Sequence, residues 1–98
     1  MRMTNALKVS ILQLWTAYIN NQNKVDALRR FLISHQQELN EEGMWENVKT
    51  HFDKIRDEYK NDTGVTISFW DYETIQLAHS SLINNDDEMF DYFLKELS

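Results

Sequence analysis

The 98-residue chain has no cysteine, no proline and only two glycines, Gly43 and Gly64. Without cysteine there is no disulfide and no thiolate metal ligand, which suits a reducing compartment. Without proline, and nearly without glycine, long stretches carry no backbone breaker. No apolar run approaches the roughly 20 residues that cross a bilayer. The opening M-R-M-T-N-A-L-K is interrupted by polar residues too often to form the apolar core of a signal peptide, so a cytoplasmic protein is expected. Bases are scarce: ten Lys and Arg stand against sixteen Asp and Glu, a net charge of -6. That balance disfavours nucleic acid and membrane surfaces, both of which are anionic.

What is present points to helices. Residues 1–98 are expected to form a single all-α domain, a compact bundle of four to five helices. Thr4 or Asn5 can cap a first helix, in which Leu7, Ile11, Leu14, Trp15, Tyr18 and Ile19 share one face. The polar turn Asn20–Asn23 closes it. A second helix, from about Lys24 to Leu39, carries Val25, Leu28, Phe31, Leu32, His35 and Leu39. A third repeats Trp45, Val48, Phe52, Ile55 and Tyr59 at spacings of three and four. Asn61-Asp62-Thr63-Gly64 is expected to stop it, with Gly64 at positive φ. Val65 to Phe69 alternate like a strand, but no partner strand exists elsewhere in the chain. They are expected to form an extended linker that lays Val65, Ile67 and Phe69 on the core, with an edge strand as the alternative. Ser68 and Asp71 match a capping box that can start a fourth helix. Asp86 can cap a fifth, with Met89, Phe90, Phe93, Leu94 and Leu97 inward.

Motifs for chemistry are missing. His35, His51 and His79 lie on separate helices, and none has a second ligand at helical metal-site spacing, so no metal is expected. Asp86-Asp87-Glu88 with Asp91 lacks the ligand alternation and central glycine of a calcium loop and reads as a helix-start cluster. There is no nucleophile elbow, phosphate loop or glycine-rich turn. The bases of the second and third helices are interrupted by acids, which denies duplex phosphates a positive footprint. Neither catalysis nor a cofactor is expected.

Charge is distributed unevenly. Residues 1–60 hold nine bases against eight acids, a sum of +1, whereas residues 61–98 hold Lys95 alone against eight acids, a sum of -7. Concentrated charge can steer a partner of opposite sign, although it also serves solubility. Aromatic residues accompany it: Trp70, Tyr72, Phe90 and Tyr92. Tyr and Trp beside acids are residue types that anchor interfaces. The expected partner surface is Trp70, Asp71, Tyr72, Glu73, Asp86, Asp87 and Asp91, facing a basic protein.

In size, charge and helix pattern, and in the Phe69–Glu73 stretch F-W-D-Y-E, the whole chain resembles the small cytoplasmic immunity proteins that bacteria use against nuclease toxins. These include the helical immunity proteins of contact-dependent inhibition systems. The resemblance implies a non-catalytic inhibitor that binds a cognate toxin stoichiometrically. The alternative is a helical adaptor or regulatory protein acting as a homodimer.

Overall fold

A computed structural model describes residues 2–98. Among these the chain folds into six helices and no strand: α1 (Asn5–Ile19), α2 (Lys24–Ser34), α3 (Gln36–Leu39), α4 (Met44–Thr63), α5 (Tyr72–Ile83) and α6 (Asp87–Glu96). None of these helices is long and apolar enough to cross a membrane. The periodic positions converge on one core, in which Leu7, Ile11, Leu28, Leu32, Leu39, Met44, Val48 and Leu94 are the most deeply buried. Helix α1 packs against α2 and α4, α3 bridges α4 and α5, and α6 lies along α5 while also touching α2.

Six helices appear where four to five were expected because the second one breaks at His35, whose backbone leaves helical geometry (φ -119°, ψ 19°). Past the break the Asn40 N–H bonds to the Gln37 carbonyl. The Gln36 carbonyl is thereby released to accept from His79 Nε2 at 2.9 Å. The side chains of this corner hold the start of α1. His35 Nε2 meets Ser10 Oγ at 2.8 Å, and Glu38 accepts from both the Thr4 N–H and the Thr4 hydroxyl. Thr4 in turn caps α1 by accepting from the Leu7 N–H. The turn after α1 contains no glycine; Asn21 and Asn23 supply the left-handed backbone instead.

Helix α4 runs to Thr63 and ends within the expected stop. The Thr63 hydroxyl donates to the Tyr59 carbonyl at 2.7 Å and accepts from the Val65 N–H at 3.2 Å, which tightens the last turn. Gly64 then ends it at φ +74°, its N–H bonded to the Lys60 carbonyl. Residues 65–70 continue as extended chain. Val65 is exposed rather than laid on the core, whereas Ile67 and Phe69 do pack there.

Helix α5 starts at Asp71 rather than Ser68. The Asp71 carboxylate accepts from the Glu73 N–H and the Thr74 hydroxyl, both at 3.1 Å. Ser68 stays extended, and its carbonyl accepts the Tyr18 hydroxyl at 2.7 Å. The physical reason lies between the two caps. Phe69 enters the rings of α1 and α4, and Trp70 bonds to the Leu97 carbonyl at the end of α6 while still touching Phe69, with centroids 5.2 Å apart. These two placements hold the stretch out of the helix.

Substitutions at two positions test this framework. A Cβ at Gly64 meets no atom within 4 Å, so the cost of Gly64→Ala is set by backbone conformation alone. It is expected to lower unfolding free energy by about 1–2 kcal/mol, with Gly64→Asn costing less. Trp70→Phe keeps the ring but removes the bond from indole Nε1 to the Leu97 carbonyl, 2.8 Å long, and is expected to cost about 1–2 kcal/mol. Urea titrations of the three variants measure both.

Candidate functional site

Apart from Asp62, which lies in the last turn of α4, the acids of the segment lie on the α5–α6 hairpin. Asp71 and Asp86 cap the two helices, Asp86 by accepting from the Met89 N–H at 3.1 Å. Glu73, Asp87 and Glu88 lie in first turns, where negative charge suits the helix dipole. All eight carboxylate residues from Asp62 to Glu96 are exposed. Lys95 is the one base of the segment, and α2 contributes Arg29, whose guanidinium meets Asp91 at 2.8 Å and lies over the Phe90 ring.

The bond from Trp70 to Leu97 places the end of α6 beside the start of α5, so the two helices run antiparallel. The expected partner residues therefore separate into two groups. Asp71, Tyr72 and Glu73 occupy one end of the hairpin, while Asp86 and Asp87 occupy the other, about 18 Å away along the twelve residues of α5. Asp91 lies between them, paired with Arg29. Trp70 is corrected: it is only 8 % exposed, with its indole N–H satisfied inside the molecule, and is a core residue rather than an anchor. Met89, expected inward, is 39 % exposed.

The first group lines a cleft of about 450 Å³ between α4 and the linker. Its floor is aromatic: Phe69 stacks on Phe52 with ring centroids 4.4 Å apart and touches Tyr72 at 5.8 Å. Its rim is charged, with Lys49, Asp53 and Arg56 on the α4 side and Asp71 and Glu73 opposite. The cations are engaged: Arg56 pairs with Asp53 at 3.4 Å and Asp57 at 3.5 Å, and Lys49 pairs with Glu46 at 3.9 Å. Burial, reinforced by the Asp53 carboxylate, pushes the Tyr72 phenol above its ordinary value, so it stays protonated and able to donate. A cationic side chain entering here meets ring faces below and carboxylates at the edge.

Tyr92 was named among the aromatics of the segment but left out of the expected partner surface, yet it is the most exposed aromatic, at 52 %. The signal was available in helical phase. At about 100° per residue, Phe90, Leu94 and Leu97 define the inward side of α6 and Tyr92 falls nearly opposite, between Glu88 and Glu96.

The histidines do not converge with acids in a cleft. Among the described residues no three His, Asp or Glu side chains are placed to hold a metal ion. His79 is 4 % exposed; its Nε2–H donates to Gln36, which leaves Nδ1 to accept from Trp45 Nε1 at 3.4 Å. This neutral tautomer belongs to the core. Comparison with known proteins finds no matching family model, no matching curated protein and no matching solved structure.

Burial lowers the His79 pKa from 6.5, against an opposing effect of the Gln36 carbonyl; burial and the Lys8 and Lys54 charges lower that of His51. A depressed histidine pKa means that the unfolded chain binds more protons, so stability rises with pH. The contribution is complete above the unfolded value and is lost as pH falls through 6.5 toward the folded values. Urea midpoints are expected to drop between about pH 7.5 and pH 5.5. His79→Gln, which keeps a donor for Gln36, is expected to remove much of that slope, and His51→Gln a further part.

Proposed function

We propose that the protein is a non-catalytic inhibitor that binds a basic protein partner through the α5–α6 hairpin, in the manner of the immunity proteins that neutralise nuclease toxins. The observation that carries this reading is the uniform exposure of the carboxylates from Asp71 to Glu96 on one hairpin. Charge of one sign on an exposed element attracts a cationic surface and accelerates its approach. Two features give that attraction a shape. The cleft at Tyr72 accepts a lysine or arginine side chain between Asp53, Asp71 and Glu73. The outer side of α6 presents Tyr92 as an aromatic contact beside Glu88. A nuclease surface built to receive phosphate carries the cations that such a face can occupy in its place.

The test is co-expression with a toxin-like protein encoded beside this chain. A stoichiometric complex is expected, with the toxin's nuclease activity blocked. Asp71→Asn, Glu73→Gln, Asp87→Asn and Glu88→Gln together are expected to weaken binding about tenfold or more and to flatten its salt dependence. Asn retains the capping ability of Asp71, so the fold should survive. Binding that ignores all four changes and added salt overturns the proposal.

A further inference from the structure

The flank of α4 opposite the Tyr72 cleft carries a second surface of contrary sign. Helical phase separates the two: Lys49, Asp53 and Arg56 fall on one side of the buried Phe52, and His51, Lys54 and Ile55 on the other. On that second side α4 and α1 enclose a groove of about 330 Å³. Its apolar walls are Val9, 55 % exposed, Leu12, 53 % exposed, and the half-buried Ile55. The groove runs on into a polar depression that shares Lys8, His51 and Lys54 with it and adds Arg2. Among the described residues no carboxylate forms an ion pair with Arg2, Lys8 or Lys54. Glu58 is the one acidic residue on the walls. In a protein of net charge -6, this is a local cationic site beside exposed apolar side chains.

An occupant must bring apolar side chains flanked by carboxylates. The outer side of α6 comes near that composition: Met89 and Tyr92 are exposed, with Glu88 and Glu96 beside them and Lys95 as the one base. Helix α6 packs on α5 and α2, whereas the groove lies between α1 and α4, so the two surfaces belong to different parts of the molecule. We propose that the protein self-associates head to tail, the outer side of α6 of one copy lying in the α1–α4 groove of the next. A single helix laid in a shallow groove falls at the small end of specific interfaces, below about 1,200 Å², so the association is weak and concentration-dependent. It uses neither Asp71 nor Glu73 and leaves the Tyr72 cleft free, but it shares Tyr92 and Glu88 with the proposed partner surface, so the two associations compete there.

Sedimentation velocity on the full chain, up to about 0.5 mM protein and at about 50 mM and 500 mM salt, tests it. The average mass is expected to rise with concentration at low salt and to return to monomer at high salt. Lys8→Glu with Lys54→Glu, and separately Glu88→Lys with Glu96→Lys, are each expected to weaken association at least tenfold. Mixing the two variants should restore it, because each reversed surface then meets its complement. Leu12→Gln, which leaves charge untouched, should also weaken it. Asp71→Asn with Glu73→Gln should not, which separates failure here from failure of the inhibitor reading. A chain that stays monomeric at every concentration overturns the proposal. So does association that survives both reversals, or a monomer whose groove captures an unrelated acidic helical peptide.

Discussion

Insertion of Phe69 among the rings of α1 and α4 is the contact on which the arrangement of the hairpin depends. Its ring touches Trp15, Tyr18, Phe52, Trp70 and Tyr72, with centroids between 4.4 and 5.9 Å. The residues on either side are fixed as well, Ser68 by the Tyr18 hydroxyl and Trp70 by the Leu97 carbonyl. A linker of extended chain has no backbone ladder of its own. Here ring packing and two directed hydrogen bonds supply the order that a sheet would otherwise give. The same insertion forms the floor of the Tyr72 cleft, so the feature that holds the hairpin in place also shapes the site.

Charge in the C-terminal segment serves structure and surface together. Asp71 and Asp86 cap helices, Glu73, Asp87 and Glu88 sit where helix dipoles favour anions, and Asp91 holds Arg29. These local roles account for positions, not for the near absence of bases. A capped helix needs one acid at its start; it does not require the exposed remainder to lack lysine. That surplus supports a partner of opposite sign, and the unpaired cations of the α1–α4 groove form its counterpart on the same molecule.

Much of the helical plan was legible because the apolar spacing is regular and the breakers are few. Gly64 could only be a stop, Thr4 a cap, and Asp86 a start. The break at His35 was not legible, because nothing in the local apolar spacing marks it and the contacts of this corner, His35 with Ser10 and the Gln36 carbonyl with His79, come from residues distant in sequence. The choice between Ser68 and Asp71 was hidden for a similar reason: both can cap, and the burial of Phe69 and Trp70 against elements distant in sequence decides. Trp70 was misplaced because proximity to acids said nothing about the Leu97 carbonyl waiting for it. Tyr92 could have been found by phase alone. The α1–α4 groove could not, since Lys8 and Lys54 meet only after folding.

Because α5 and α6 pack most extensively on each other and join the remainder through a linker held by Phe69 and Trp70, the hairpin has the makings of a cooperative substructure with its own opening equilibrium. Its amides would then exchange with solvent deuterium as a group, ahead of those in α1 and α2. An anchoring aromatic ring would set the protection of some twenty backbone sites at once.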